Sequence, residues 1–247
     1  MDDSMKHRWR GLRADTLARL EMRDYTDDSI ARRLASTGVS AADLLTDSPG
    51  LCEAWIPGVE VFHRKVFRQK ARGHFAELAR LHEGTLGRIG LQPAQWAAAS
   101  LHRDSAKGFH IHPPHVPEGV APADWFRELF LTEPDNHGRR PYGLEQWDVM
   151  FFLTGMCEMI LADERDGMPR RIMRFSIAGD DLPGNDNVAV VIPPGVAHAL
   201  RSIGTTDLIM VYGTSTVFDP ASEGRIASSV ETMSLPEDWT AYLESAG

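Results

Sequence analysis

The chain has 247 residues, 43% of them hydrophobic and 25% charged, a balance that suits one large globular domain with a small appendage. Its 26 basic residues against 35 acidic ones leave a formal net charge of −9, which argues against a general nucleic-acid coat. Two cysteines, Cys52 and Cys157, exclude a disulfide framework and an all-cysteine metal site.

Both cysteines read as buried small hydrophobes in a reducing compartment. The apolar runs, Val149 to Leu153 among them, fall far short of the roughly 18 residues a membrane span needs. The first residues lack the apolar core of a signal peptide. The expectation is a soluble, cytoplasmic protein with no membrane contact.

The pattern is helical up to about residue 55. Trp9, Leu12, Leu17, Leu20 and Met22 recur at three- and four-residue spacings, with arginines between them. Thr26 stands where an N-cap would, and Gly38 lies just past the end of the segment it opens. Ser40 starts a third short helix through Leu45, stopped by Ser48-Pro49-Gly50. The second and third segments loosely resemble a helix-turn-helix, with Arg32 and Arg33 on its recognition face. Residues 1–50 carry eight Lys or Arg against nine Asp or Glu, so charge favours a helical cap on the main domain or a dimer partner.

Downstream the texture changes to short β-rich runs. Gly58 to Phe67 alternates, and Ala97–Leu101, Gly108–His112, Val149–Leu153, Met156–Ala162, Arg171–Ile177, Val188–Ile192 and Leu208–Tyr212 all read as strands. Gly155 separates two of them as a hairpin turn would, and Pro183 to Asn187 is a second turn cluster. Many short strands at this spacing predict a mainly β, antiparallel sandwich or barrel, with the jelly-roll among the leading options. One 35-residue excursion, Pro113 to Trp147, interrupts the rhythm with prolines and an amphipathic run, Ala123 to Leu131. It is either a lid or binding loop, or a helix packed on the barrel exterior.

The sharpest chemical signal is Gly108-Phe109-His110-Ile111-His112. Side chains two apart on a strand share a face, so His110 and His112 project together. Neutral imidazoles entering a barrel cavity are good ligands for Zn, Fe, Ni, Cu or Mn. A second signal, Pro193-Pro194-Gly195-Val196-Ala197-His198, makes a tight turn and aims His198 at the barrel mouth.

Together these stretches resemble the paired His-x-His and Pro-x-Gly-x-x-His motifs of the cupin superfamily, which converge on one metal ion. That resemblance implies a double-stranded β-helix and a fourth, carboxylate ligand seven residues before a turn glycine, the place that Asp148 holds before Gly155. It thus implies a divalent metal (Zn, Fe, Mn or Ni) held by His110, His112, Asp148 and His198, with Glu118 as a competing carboxylate. On this reading the chain divides into an N-terminal helical segment (1–55), a cupin barrel (56–230) with a long insertion at 113–147, and a C-terminal tail (231–247).

More residues narrow the likeness. Pro57-Gly58-Val59, Lys65-Val66-Phe67 and Arg72-Gly73-His74-Phe75-Ala76-Glu77 are similar to the N-terminal signature of dTDP-4-dehydrorhamnose 3,5-epimerases, and Gln95, Arg103, Lys107, Gly108 and His110 match its next block. The similarity runs over roughly residues 57–225. It implies a homodimer, a small-molecule substrate contacted by Arg72, Glu77, Arg103 and Lys107, His110 as proton-abstracting base and Tyr212 as proton-returning acid. The lysine that steadies the enolate in those enzymes would fall near Asp148, and the Gln two residues after their base is here His112. Both changes are to metal-ligand types.

Three functions compete on these residues. The first is epimerisation or isomerisation of a keto-sugar or related oxygenated molecule with metal-assisted enolisation. The second is a metal-dependent cupin dioxygenase or lyase. The third is a ligand-sensing cupin regulator. A coordinated imidazole nitrogen cannot also accept a proton, so His110 is either ligand or base.

Overall fold

The computed structural model describes residues 3–21, 38–46, 55–131 and 145–226. Two antiparallel sheets face one another in a cupin-type jelly-roll. One has six strands in the order β1 (Leu20–Glu21), β13 (Gly224–Ile226), β6 (Ala106–Ile111), β11 (Val196–Ser202), β8 (Met156–Asp163) and β9 (Ile172–Ala178). The other has five, in the order β2 (Glu60–His63), β10 (Val188–Ile192), β7 (Asp148–Thr154), β12 (Leu208–Thr214) and β5 (Gln95–Leu101). A hairpin, β3 (Val66–Arg68) and β4 (His74–Ala76), stands apart from both sheets. The expected strands are all present, shifted by a residue or two at their ends, except that Gly58 to Phe67 splits between β2 and β3.

Alternation along the strands divides the apolar residues into three layers. Between the sheets lie Val61, Met150, Phe152, Met159, Leu161, Phe175 and Val190, together with Cys157, which packs as the small hydrophobe expected of it. Cys52 lies outside the described residues. On the outer face of the six-stranded sheet, Phe109, Ile111, Ile160 and Ala197 pack under Trp9 and Leu12. On the outer face of the other sheet, Val149, Phe151 and Val191 are covered by α4 (Gly84–Ile89) and α5 (Pro122–Leu131). Helix α5 belongs to the excursion, and its Phe126 and Leu129 are buried against the barrel exterior. Over its described part the excursion is therefore a packed helix; residues 132–144 lie outside the described set.

The N-terminal segment departs from the helical reading. Helices α1 (Asp3–Arg8) and α2 (Ala14–Arg19) are short, and Trp9 and Leu12 sit in the turn between them. Gly11 makes that turn with φ +99°, where an added Cβ would run into Val116. Leu20 leaves the helix to pair with Ile226 as an edge strand. The pairing satisfies backbone groups that a longer helix would have had to cap. The second expected helix, with Arg32 and Arg33, lies outside the described residues. Helix α3 (Ala41–Leu45) forms as expected, with Ser40 as N-cap in a capping box with Asp43. Its Ala41 and Leu44 are buried against the inter-sheet core, so α3 closes the barrel rather than standing free as a recognition helix. No helix among the described residues is long and apolar enough to cross a membrane.

One irregularity positions the site. His110 pairs with His198, but Leu200 pairs with Lys107, so three steps of β6 oppose two of β11. This bulge keeps Lys107 and His110 on one face although they are an odd number of residues apart. Gly108 sits inside it at φ +131°, and a Cβ there would lie 2.7 Å from both Ala199 and the His198 carbonyl. Gly108→Ala is therefore expected to cost about 2–4 kcal/mol, combining left-handed backbone with an overpacked ladder. Urea unfolding measures it; a loss below about 0.5 kcal/mol would show that the bulge tolerates a side chain.

Candidate active site

At one end of the inter-sheet space the side chains turn polar and enclose an open cavity of about 180 Å³. The strand registers define its two walls. Across the six-stranded sheet, Arg225, His110, His198 and Leu161 stand opposite one another on successive strands. Across the facing sheet, Gln95, Thr214, Asp148 and Ile192 form one row, and Ala97, Tyr212, Met150 and Val190 form the row beside it. The cavity thus takes His110 and His198 from one sheet, and Asp148 and Tyr212 from the other.

The donor atoms of His112, Asp148 and His198 lie within 4.8 Å of one another. His112 Nε2 is 3.1 Å from Asp148 Oδ2, and His198 Nε2 is 3.7 Å from the same oxygen. His110 stands outside this group, its ring stacked on that of His198 at 5.6 Å between centroids. His110 Nε2 is buried and has no hydrogen-bond partner among the described residues. Of the four ligands the sequence suggests, three therefore converge and the fourth stands beside them. Glu118 is exposed and absent from the cavity lining.

The imidazoles are oriented through their other nitrogens. His112 Nδ1 donates to the Ser222 carbonyl at 3.1 Å, and His198 Nδ1 faces the Val196 carbonyl at 3.5 Å. Both Nε2 atoms are thereby directed at Asp148, with the backbone-anchored arrangement usual behind a metal ligand. Gln146 donates to Asp148 Oδ1 at 3.0 Å and lies 3.1 Å from His112 Nε2. The donor set is that of a two-histidine, one-carboxylate centre, and in chemistry and spacing these residues fit a divalent ion.

The N-terminal segment reaches this site indirectly. Arg8 binds Asp219 and, at 2.8 Å, Ser222 Oγ. These contacts hold the turn whose Ser222 carbonyl anchors His112 and whose Glu223 lies 3.6 Å from His112 Nδ1.

Electrostatics separate the three histidines. Burial lowers His110 well below the usual imidazole range, and Arg225, His198 and Lys107 push it further down, so it is neutral. Burial likewise takes His198 down to about 4, against the pull of Asp148. Burial opposes the charge on His112 too, yet the adjoining Asp148 carboxylate, with Glu223 and the Ser222 carbonyl, lifts it to about 9. Asp148, although burial would raise it, is held below the usual carboxylate range by His112 and His198. Without metal the pair is His112⁺ and Asp148⁻.

The remaining sequence candidates divide. Lys107 and Tyr212 line the cavity. Arg72 is exposed in the turn between β3 and β4 (a 3-10 helix, Lys70–Arg72), Glu77 pairs with Arg80 at 2.8 Å, and Arg103 pairs with Asp104 at 3.5 Å on the surface. None of these three lines the cavity of its own chain. The cavity also contains Gln146, Glu223 and Arg225, which the sequence reading passed over. Gln146 was within reach, being two residues before Asp148 and so on the same face. Arg225 carried no local signal.

No protein-family model matches the chain. The spore coat polysaccharide biosynthesis protein SpsL of Bacillus subtilis (strain 168) is 29% identical over 182 residues, covering 72% of this chain and 93% of that protein. A double mutant of ChmJ, a 3'-monoepimerase from Streptomyces bikiniensis in complex with dTDP, superimposes with a TM-score of 0.50 at 18% identity over 73% of this chain and 74% of that one. A dTDP sugar isomerase from Desulfovibrio desulfuricans G20 gives a TM-score of 0.50 at 12% identity over 73% and 90%. Solved structures at these identities establish the jelly-roll fold.

Because the folded pKa of His112 lies above its unfolded value, its contribution to stability is full below about 6.5 and disappears as pH rises through about 9. His110 and His198, buried neutral, oppose folding only where the unfolded chain's imidazoles are charged, near and below pH 6.5, so above pH 7 they change little. Thermal unfolding of chelator-treated protein should show the midpoint falling between pH 7 and 9. A midpoint flat over that window would mean that His112 is not held protonated.

Proposed function

We propose that this chain is an epimerase or isomerase of a keto-sugar carried on a nucleotide. The observation that carries the reading is that His110, neutral and with its Nε2 lacking a hydrogen-bond partner among the described residues, lines the same cavity as Tyr212. The two side chains come from opposite sheets, so a sugar ring between them meets a base on one face and a phenol on the other. His110 Nε2 takes the proton from the carbon next to the ketone, and the electron pair moves onto the carbonyl oxygen to give an enolate. The Tyr212 hydroxyl returns a proton to the opposite face of that carbon, and solvent resets both groups. The similarity to a polysaccharide-biosynthesis protein and to a 3'-monoepimerase solved with dTDP supports the substrate class. The cavity is smaller than the roughly 300–1,000 Å³ of pockets that enclose a drug-sized ligand, which favours entry of the sugar ring alone.

The spacing of His112, Asp148 and His198 favours a second element, a resident Zn, Fe, Mn or Ni ion. Bound there, such an ion supplies Lewis-acid polarisation of the substrate carbonyl or, as iron with an open position, oxygen chemistry. The chain's own residues then divide the work, with His112, Asp148 and His198 as ligands and His110 left to move the proton.

The nucleotide end of the substrate falls to Arg72, Glu77 and Arg103, which lie outside their own chain's cavity, and a homodimer is the arrangement that brings them to a second copy's. The exposed, stacked Phe67 and Phe75, 6.2 Å apart on β3 and β4, support such an interface. Cys157, buried and unpaired, is compatible with a cytoplasmic setting.

Incubation with a dTDP-4-keto-6-deoxy sugar in D₂O should place deuterium at the carbon next to the ketone without oxygen uptake. His110→Asn and Tyr212→Phe should each lower that exchange by about 100-fold or more. Oxygen consumption without exchange would favour the oxygenase chemistry instead. Metal analysis of protein purified without added metal should find an ion in the wild type and in His110→Asn, and little in His112→Ala or His198→Ala. Full occupancy in the latter two would remove them as ligands. Phe67→Asp with Phe75→Asp should convert a sedimenting dimer to monomer; an unchanged mass would place the interface elsewhere.

A further inference from the structure

Enolisation puts a negative charge on an oxygen two bonds from the carbon that loses its proton, so the group that takes up that charge must adjoin the base. Asp148 stands on the facing wall, where the resemblance would have put a lysine, and a carboxylate, committed there to His112, cannot itself take up that charge beside the base, whether or not an ion sits on the facing wall. The row across β13, β6 and β11 offers a different answer. Arg225 stands directly opposite His110 in the β13–β6 ladder, and both side chains line the cavity. Residues paired this way have Cβ atoms about 4.5–5.5 Å apart. Lys107, brought onto the same face by the bulge, lies on the other side of His110 along β6 and also lines the cavity. Arg225 is 4% exposed, and contacts of its Nη1 with the Gly224 carbonyl at 2.9 Å and Glu223 at 3.4 Å hold the guanidinium in place.

We infer that Arg225 and Lys107 form an oxyanion subsite beside His110, with Arg225 as the catalytic residue that binds the enolate oxygen. The inference rests on the epimerase reading for its role in catalysis, but the subsite itself is a claim about anion binding. A planar guanidinium with several donors suits an oxygen whose charge is shared with the adjacent carbon. The subsite is preorganised, since Arg225 is already desolvated and anchored, and it need not reorganise as charge develops.

Two measurements test it. The first uses sulfate, an oxyanion that coordinates metals poorly, followed by the ring-proton NMR signals of His110. Wild type should show a saturable shift, weakened about 10- to 100-fold in Arg225→Gln and in Lys107→Gln, and partly restored in Arg225→Lys. No saturable shift in wild type, or undiminished binding in folded Arg225→Gln as judged by near-ultraviolet circular dichroism, overturns the subsite. Should Arg225→Gln not fold, Lys107→Gln on the half-buried wall decides alone. The second is deuterium exchange on the keto-sugar: Arg225→Gln should lower kcat about 100- to 1,000-fold with KM little changed. Exchange at the wild-type rate in that variant overturns its catalytic role. If wild type exchanges nothing, the epimerase reading fails and the catalytic role with it, while the sulfate result still decides the subsite.

Discussion

The contact between His112 and Asp148 is where the two sheets are tied at the functional end of the barrel. Asp148 opens β7 in one sheet, and His112 follows β6 in the other. Neither side chain is more than a few per cent exposed. Two such groups brought out of water must either pair or lose their charges, and each holds the other ionised. Replacing a buried ion pair with apolar residues of similar volume often costs a fold nothing, whereas deleting one member strands a buried charge, at about 3–5 kcal/mol. The pair fixes the orientation of both groups and directs the Nε2 atoms of His112 and His198 at one oxygen.

The surroundings of that pair explain why the N-terminal segment is more than an appendage. Trp9 is fully buried on the outer face of the six-stranded sheet, and Leu20 extends that sheet by pairing with β13. Arg8 continues the same packing into the turn at Asp219 and Ser222, whose carbonyl anchors His112. A segment outside the barrel thus supports the ladder that presents Arg225, His110 and His198. The coupling is mechanical: Arg8, the turn at Ser222 and the His112 imidazole are linked by consecutive hydrogen bonds.

Within the cavity the two walls carry different groups. The six-stranded sheet and the turn before β13 contribute Lys107, Arg225, Glu223 and two neutral imidazoles, while the facing sheet contributes the Asp148 carboxylate and the Tyr212 phenol. Desolvation and the neighbouring cations keep His110 a neutral acceptor, while Asp148 keeps His112 a cation. Two histidines only two residues apart therefore have opposite protonation states. The difference follows from their surroundings, burial and Arg225 acting on His110 and the Asp148 carboxylate on His112.

How much of this could be read in advance follows from the range of the interactions. Strand placement was legible because alternation and turn residues act over a few positions: Gly155 and Gly195 both adopt positive φ where the sequence puts turns. The His-x-His pair and the histidine after Pro193-Pro194-Gly195 were legible for the same reason, since local spacing determines which face each side chain takes, whereas the carboxylate before Gly155 entered only through the resemblance to cupins. The N-terminal helix was overextended because Leu17 and Leu20 fit a helical stripe, while the competing partner for Leu20, Ile226, lies more than 200 residues away. Arg225, with Glu223 just before it, enters the cavity through the equally distant pairing of β13 with β6, and no pattern around residue 225 announces it. Arg72 and Arg103 carry recognisable motifs, but whether they meet the cavity depends on packing between elements, which spacing along the chain does not encode. By itself, then, the sequence determined residue types, faces and turns, which depend on neighbours a few bonds apart. Only the tertiary structure decided which faces meet across the barrel and which histidine stands next to a cation, because strand register is set by contacts between segments far apart in the chain.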